Sequence, residues 1–246
     1  MNTLRAVLRL IAFLGITLYG ATIALVKLRL NGGNLASIAP DFVRWSRRNL
    51  KALGVDLHVK GTPPTQPVLF LPNHRSYLDT VFFPLYQMVV FVAKIEVSRW
   101  PLIGYATGAV RTIFVDRNDP QSRRNTREEI KQRLAENLSV VVFPEGTTAR
   151  SPEVKPFRPG MFFVAAEGDI PVMPVAIEYA DPDDAFVGDA TFLPHFLRTF
   201  GKPYTQLYVS FGPILRDSNG ENLKLTVESW VKEECSTLQN SLTSTA

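Results

Sequence analysis

Short apolar runs of strand type alternate with stretches of helical periodicity from about residue 55 to the end of this chain. The candidate strands read VDLHVKG, PVLFLP, VVFVAK, AVRTIFVDR, SVVVFP, PVMPVAIEY and LYVSFGPI. One helix begins at Pro120, capped by Asp119, and the last helix runs from about Glu221 to Leu242. This alternation predicts a layered α/β domain with a central mixed sheet flanked by helices. Residues 181–204 follow neither pattern and are expected to form an irregular surface insertion.

An apolar segment without any charge occupies residues 10–26, between Arg5 and Arg9 on one side and Lys27 and Arg29 on the other. As a helix it would be about 26 Å long, which is at the short end of what spans a bilayer. The segment predicts a membrane-anchoring helix, spanning or half-embedded, since it has no obvious place in a soluble core. A cleaved signal peptide is the alternative, although no clear small-residue cleavage site precedes the basic residues.

A second helix is expected between Pro40, which suits a first helical turn, and Gly54, which suits a position just past a helix end. It carries Trp45 among several basic residues, which is typical of a helix at a membrane surface. An amphipathic helix packed on the domain would have the same pattern. The predicted division is therefore a membrane-associated helical pair at residues 1–54, followed by the α/β domain at residues 55–246.

The excess of basic over acidic residues is confined to the N-terminal quarter of the chain. Residues 1–60 hold nine lysines and arginines against two aspartates, whereas the remainder holds 18 basic and 21 acidic residues. Basic charge combined with apolar sequence indicates anionic membrane lipid, and not nucleic acid, as the partner. Basic residues on both sides of the apolar segment favour a hairpin that enters a membrane from its cytoplasmic face.

Metal and disulfide chemistry have little support in the sequence. Cys235 is the single cysteine, so neither an internal disulfide nor a thiolate-rich zinc site can form. His58, His74 and His195 are scattered and lack the H-E-x-x-H spacing of a zinc hydrolase. We expect no metal and no bound cofactor.

The stretch LPNHRSYLDT, at residues 71–80, places His74 and Asp79 five positions apart, directly after an apolar strand. On one continuous helix the two side chains would point about 140° apart. His74 is therefore expected in the loop and Asp79 in the first turn of the next helix, with Ser76 as its N-cap. The loop can fold the imidazole back onto the carboxylate, which would fix the tautomer and leave the other nitrogen free to accept a proton. Plain helix capping by Asp79 and a structural role for His74 stay open.

No nucleophile of the chain accompanies this pair. The sequence has no G-x-S-x-G elbow, and Cys235 falls in the apolar stripe of the last helix. A His–Asp pair without a nucleophile would act as a general base on a hydroxyl of the substrate.

A second motif, VVVFPEGTTARS at residues 140–151, leads from a strand into a Pro-Glu-Gly-Thr loop. Together with NHRSYLD, this motif resembles two of the four sequence blocks of the glycerolipid acyltransferase superfamily, which includes the 1-acylglycerol-3-phosphate acyltransferases. The segment KIEVSRWPLIGYATGAVRTIFVDR at residues 94–117 is similar to the second block, and IPVMPVAI at residues 170–177 is similar to the fourth. The blocks occur in the order of the family.

The resemblance implies an O-acyltransferase of phospholipid biosynthesis. His74, oriented by Asp79, would deprotonate an acceptor hydroxyl, and that oxygen would attack the thioester of acyl-CoA or acyl carrier protein. No covalent acyl-enzyme would be needed. The resemblance also assigns substrate binding to four further residues, which are Arg117, Glu145, Gly146 and Thr147.

One departure from the family pattern bears on the acceptor. Many members read F-P-E-G-T-R, whereas this chain has Thr148 at the arginine position, and its next basic residue is Arg150. Arg150 is therefore a further candidate for binding a substrate phosphate. Lysophosphatidate is the leading acceptor, and another lysolipid such as lyso-ornithine lipid is the alternative. Two other interpretations are a catalytically silent lipid-binding module and a His-dependent thioesterase that transfers the acyl group to water.

Overall fold

The computed structural model describes residues 2–243 and has one seven-stranded sheet with helices packed around it. The strands are β1 (Val55–Lys60), β2 (Leu69–Pro72), β3 (Val89–Lys94), β4 (Ile113–Val115), β5 (Ser139–Val141), β6 (Val172–Tyr179) and β7 (Thr205–Phe211). The helices are α1 (Thr3–Leu30), α2 (Ala39–Leu53), α3 (Asp79–Phe82), α4 (Ile103–Ala109), α5 (Pro120–Ala135), α6 (Gly160–Glu167), α7 (Phe192–Phe200) and α8 (Gly220–Thr243). Met1 and residues 244–246, at the ends of the two predicted regions, lie outside this description.

The sheet is mixed, as the sequence predicts. Its strand order is β1-β7-β6-β2-β5-β3-β4, and only the β6–β7 pair is antiparallel. The central strands β2, β5 and β6 are buried along their whole length, which their nearly continuous apolar sequences require. Because β2, β3, β4 and β5 run in the same direction, the loops that follow them meet at one edge of the sheet.

Local capping signals define two helices at the residues that the sequence indicates. The Asp119 side chain accepts hydrogen bonds from the backbone amides of Gln121 and Ser122, and α5 begins at the next residue, Pro120. Helix α2 ends at Gly54, whose φ of 69° lies in the left-handed region that glycine adopts without strain. Both helices are confirmed.

The expectation of an irregular insertion is wrong for residues 192–200, which form α7. This helix buries Phe196 and Phe200, and the Phe196 ring lies 6.1 Å from the ring of Phe13 in α1. Pro194 interrupts the sequence pattern, but it falls in the first turn, where a missing amide hydrogen disturbs no helical bond. The four-residue spacing of the two phenylalanines is the helical signal.

Helix α1 also differs from the expectation that it has no place in the core. It packs against α2, α4 and α7, and its residues Phe13, Ala24 and Leu28 belong to the main hydrophobic core. The opposite face exposes large apolar side chains, among them Leu8, Ile11, Leu18 and Val26. Within residues 2–243, α1 is the one helix long and apolar enough to cross a membrane.

Candidate active site

Three loops at the same edge of the sheet carry the residues that the sequence singles out. His74 follows β2, Gly146 and Thr147 follow β5, and Arg117 follows β4. All four residues line one cavity of about 720 Å³. The parallel arrangement of these strands thus brings together motifs that are up to 73 positions apart in the sequence.

His74 and Asp79 contact each other directly. The His74 Nδ1 atom lies 2.8 Å from Asp79 Oδ2, and the carboxylate is fully buried. Since a carboxylate only accepts, Nδ1 carries the hydrogen, and Nε2 is left with its lone pair. The imidazole also stacks on the Phe143 ring at 3.8 Å between centroids. The arrangement can therefore accept a proton at Nε2 and stabilise the resulting imidazolium through Asp79.

The Asp79 carboxylate makes three further hydrogen bonds. Oδ2 accepts from the backbone amides of Arg75 at 2.6 Å and Ser76 at 2.8 Å, and Oδ1 accepts from the Tyr179 hydroxyl at 2.7 Å. The expectation that Ser76 is the N-cap is wrong, because α3 begins at Asp79 with Leu78 as its N-cap and no capping side chain. The Asp79 carboxylate instead bonds the Ser76 amide in the turn before the helix, and the same carboxylate orients the imidazole. Burial, followed by the charge of Asp79, raises the pKa of Tyr179 well above its usual range, so the phenol stays a donor.

Glu145 has internal contacts and does not line the cavity. One of its oxygens accepts the His74 backbone amide at 2.7 Å, and the other accepts the Lys155 amide at 2.9 Å. Burial raises the pKa of the Glu145 carboxyl, although both amide bonds act in the opposite direction. These contacts connect the loop after β2 to the loop after β5. The predicted role of Glu145 in substrate binding stays a prediction.

Gly146 and Arg117 hold the second loop in place. Gly146 has a φ of 74°, and its carbonyl accepts a hydrogen bond from Arg117 Nη1. Thr148, at the position where many relatives have arginine, donates its hydroxyl to the Phe186 carbonyl. Its side chain therefore braces the loop.

Arg150 lies outside the cavity lining. It forms an exposed ion pair with Asp183, and neither side chain is buried. Its predicted contact with a substrate phosphate has no support from this geometry and stays a prediction.

Helices provide most of the apolar wall of the cavity. Helix α1 contributes Phe13, Ala21 and Ala24, α2 contributes Phe42 and Trp45, and Ile38 directly precedes α2. Further apolar lining comes from β3, from α4 and from the residues next to α4, through Phe91, Val92, Val97, Trp100, Ile103, Ala106 and Val110. An apolar cavity that leads to a buried His–Asp pair suits a substrate with a hydrocarbon chain and a reactive polar end.

Three residues that support the site were not identified from the sequence. The Asn73 side chain bonds both the amide and the carbonyl of Ile177 in β6, which fixes the end of β2. Arg75 is buried, pairs with Glu178 and donates to the Ala149 carbonyl. Asn73 and Arg75 flank His74, and this position is the only feature of the sequence that points to them as supporting residues. No feature of the sequence points to Tyr179.

No group of three or more histidine, cysteine, aspartate or glutamate residues is arranged to hold a metal within residues 2–243. The acidic residues nearest to His74 are occupied by hydrogen bonds, as described above.

Comparisons with known proteins agree with this geometry. A family model described as Acyltransferase matches residues 55–178. The chain is 33% identical to lyso-ornithine lipid O-acyltransferase of Pseudomonas aeruginosa, over 80% of each chain. It is 30% identical to lysophosphatidylcholine acyltransferase 2 of Mus musculus, covering 74% of this chain and 34% of that one. The chain thus spans about a third of the mouse relative.

One solved structure has a similar fold. It is the 1-acyl-sn-glycerophosphate (LPA) acyltransferase PlsC of Thermotoga maritima, with a TM-score of 0.65 over 94% of this chain and 98% of that one. The sequence identity is 21%, so the likeness establishes the fold alone.

Proposed function

This chain belongs to the Acyltransferase family, and we propose that within it the enzyme moves a fatty acyl group from acyl-CoA or acyl carrier protein to the free hydroxyl of a lysophospholipid. The observation that carries the proposal is the His74 imidazole, which is bonded to Asp79 through Nδ1 and lines a largely apolar cavity. An enzyme that activates a lipid hydroxyl needs a base in such a setting.

The proposed reaction has two chemical steps, which are attack of the acceptor hydroxyl on the thioester and collapse of the tetrahedral intermediate. His74 Nε2 takes the proton of the acceptor hydroxyl while that oxygen attacks the thioester carbonyl. Asp79 stabilises the imidazolium that forms. The tetrahedral intermediate then expels the thiolate, to which the imidazolium returns the proton. General-base catalysis of this kind contributes about 10²–10⁴-fold to a rate.

Lysophosphatidate is the acceptor that we propose first, with phosphatidate as the product. Arg117 lines the same cavity as His74, and a guanidinium can donate two parallel hydrogen bonds to a phosphate. Gly146 and Thr147 line the same part of the cavity and are the further proposed contacts of the acceptor. The reaction needs the two substrates and no cofactor of its own.

Lyso-ornithine lipid is the second acceptor candidate. The relative from Pseudomonas aeruginosa named above covers four fifths of this chain, and its name states this substrate. The ornithine headgroup carries a carboxylate and no phosphate, so a cationic residue such as Arg117 suits it as well.

We also propose that residues 1–54 anchor the enzyme to a membrane at its cytoplasmic face and that residues 55–246 carry the reaction. The exposed apolar face of α1 supports an anchor. Because the other face of α1 packs on the domain, a helix that lies half-embedded fits better than one surrounded by lipid on all sides.

The test is an acyl-transfer assay with the full-length protein in phospholipid vesicles. Lysophosphatidate, lyso-ornithine lipid and lysophosphatidylcholine are each supplied with acyl-CoA or acyl carrier protein. We expect diacyl product from lysophosphatidate and release of thiol that depends on the lysolipid. Thiol release at the same rate without any lysolipid would indicate a thioesterase, and no turnover with any pair would indicate a lipid-binding module.

A further inference from the structure

Gly146 has two arginines against its backbone. A Cβ added at this glycine would lie 2.8 Å from Arg158 Nε and 3.1 Å from Arg117 Nη1. Any side chain at position 146 would therefore displace both guanidiniums, which lie side by side in the space that the glycine leaves open. Arg158 comes from the loop before α6 and is 41 positions from Arg117 in the sequence, so only the fold brings the two together.

Neither of these two arginines forms an ion pair with the described part of the chain, although the charge of Glu96 acts on Arg117 and opposes the lowering of its pKa. Within residues 2–243, neither has a carboxylate oxygen within 4.0 Å of its side-chain nitrogens. Lys94 also lines the cavity without an ion pair, and Arg127 Nη2 approaches Gly160, two positions after Arg158. Arg117 and Arg158 are thus two neighbouring cations beside Gly146 that form no ion pair among the described residues, in a cavity whose lining also includes the acid Glu96.

The positive charge of Arg158 acts on Arg117. Burial, followed by the positive charge of Arg158, lowers the pKa of the Arg117 guanidinium. The guanidiniums of Arg117 and Arg158 both lie against Gly146, and their like charges repel each other. An anion placed between them would replace that repulsion by two attractive contacts, and Arg117 still has donors available because only its Nη1 is known to bond the Gly146 carbonyl.

We propose that Arg158 and Arg117 together bind a phosphate group of a substrate, so that Arg158 takes the place of the arginine missing at position 148. The inference rests on the acyltransferase function proposed above. Two guanidinium forks suit the several oxygens of one phosphate better than a single carboxylate. Arg150, which the sequence suggests for this purpose, forms an exposed ion pair with Asp183 and does not line the cavity.

Two sources of phosphate are chemically equivalent at this site. One is the headgroup of the acceptor lysophosphatidate, and the other is the phosphate of the thioester donor. Both substrates must reach His74. Arg117 and Gly146 line the same cavity as His74, and Arg158 is exposed and lies against Gly146. Steady-state kinetics distinguish the sources, because each substrate can be varied at saturation of the other.

The experiment compares wild-type protein with Arg158→Ala, Arg158→Lys, Arg117→Ala and the double alanine variant in vesicles, using lysophosphatidate and acyl-CoA. Arg158→Ala should raise one KM by about 10- to 150-fold, the range of a charge-assisted hydrogen bond. A rise in the KM of lysophosphatidate assigns the phosphate to the acceptor, and a rise in that of acyl-CoA assigns it to the donor. Arg158→Lys should retain part of the affinity, because it keeps the charge and loses the fork.

The double variant tests whether the two arginines bind the same group. If they do, its KM should rise by clearly less than the product of the two single effects. Arg216→Ala, which removes an exposed arginine paired with Asp169, is the matched control and should change both KM values less than about twofold.

The proposal is overturned if Arg158→Ala leaves both KM values within about twofold of wild type, or if the alanine and lysine variants are equally impaired. Independent, multiplicative effects of the two arginines would also overturn it, since they would then bind separate groups. Failure of the proposed function has a different signature, in which the wild-type protein itself forms no diacyl product. That result would remove the substrate and with it this assignment.

Discussion

Asp79 is the residue on which the most contacts of the site converge. Its carboxylate accepts from His74, from two backbone amides and from Tyr179. Each bond withdraws some negative charge from the carboxylate and so weakens its support for an imidazolium at His74. Tyr179 is the one donor among these that can be removed without disturbing the loop backbone.

Replacing Tyr179 with phenylalanine should therefore change the pH dependence of the reaction. Without the phenol, Asp79 bears more charge and stabilises the protonated imidazole, so the acidic limb of the kcat/KM profile should move to higher pH. The unpaired Oδ1 should also lower the free energy of unfolding by about 1–3 kcal/mol. Tyr208→Phe, on β7 and half-exposed, is the control. An unchanged pH profile in folded Tyr179→Phe would show that the hydrogen bond has no influence on the base.

For single residues, the sequence predicts a functional role only where the residue lies inside a recognisable motif. His74 and Asp79 are identified because a loop and the first turn of a helix place them within reach of each other. Tyr179 and Arg158 are not, since their contacts join segments that become neighbours only when the sheet and its loops have formed. The contacts of Glu145 with the backbone amides of His74 and Lys155 could not be foreseen for a related reason, since they join the loop after β2 to the loop after β5.

At the level of secondary structure, α7 connects the catalytic loop to the N-terminal helix. His195 of α7 is buried, and its Nε2 lies 3.1 Å from the Ala185 carbonyl. A carbonyl only accepts, so Nε2 carries the hydrogen, and Nδ1 accepts from the Tyr77 hydroxyl at 3.1 Å. Burial lowers the pKa of His195 below 6.5, and the nearby charge of Arg198 acts in the same direction.

This histidine should make the fold sensitive to mild acid. As pH falls below about 6.5, His195 takes up a proton in the unfolded chain but not in the folded one, so stability decreases until the lowered pKa of the folded state is reached. The loss is about 1.4 kcal/mol for each unit by which the pKa is lowered. Above pH 6.5 the effect is absent.

Thermal unfolding in detergent at pH 7.5 and pH 5.5 measures the effect. We expect His195→Gln, which can still donate to Ala185, to lose less stability between the two pH values than wild type. Parallel losses in wild type and His195→Gln would contradict the assignment.

Two segments whose secondary structure was not predicted correctly from the sequence have a physical explanation. The predicted strand at residues 109–117 is observed only at Ile113–Val115, because Ala109 still belongs to α4. Helix α4 has two glycines in seven residues, which weakens any helical pattern. Helix α7 is masked by Pro194. In both segments tertiary packing decides what the local sequence leaves ambiguous.

At the level of the whole molecule, the two faces of α1 lie in different environments, one inside the protein and the other at its surface. One face forms part of the core and the cavity wall, and the other exposes Ile11 together with several leucines and valines. Deleting the helix would remove both at once. Substitutions confined to the exposed face separate membrane attachment from folding.

The triple variant Leu8→Asn, Ile11→Asn, Leu18→Asn should keep the fold and lose vesicle binding. Each of these side chains contributes about 1.5–3 kcal/mol when it moves fully from water into an apolar phase, so the partition coefficient should fall at least about 10-fold. Co-sedimentation with anionic vesicles measures this. Leu225→Asn, an exposed leucine of α8, should bind vesicles as wild type does. Undiminished binding of the folded triple variant would rule out this face as the anchor.

The sheet itself could be predicted only in part. Seven strands and a mixed sheet follow from the runs of apolar residues, but the spatial order of the strands does not, because it depends on long-range pairings. The same holds for the cavity: the apolar segment at residues 10–26 indicates a membrane, while its second role as a wall beside the His–Asp pair appears only in the fold.

We propose that His74, held by Asp79, is the base that activates a lysolipid hydroxyl. This role is tested by the rate of diacyl product formation by His74→Ala beside wild type, in vesicles with lysophosphatidate and acyl-CoA, with circular dichroism confirming the fold of both. We expect wild type to form phosphatidate and His74→Ala to be slower by at least about 10²-fold. A correctly folded His74→Ala protein that forms diacyl product at a rate near that of wild type would contradict this role.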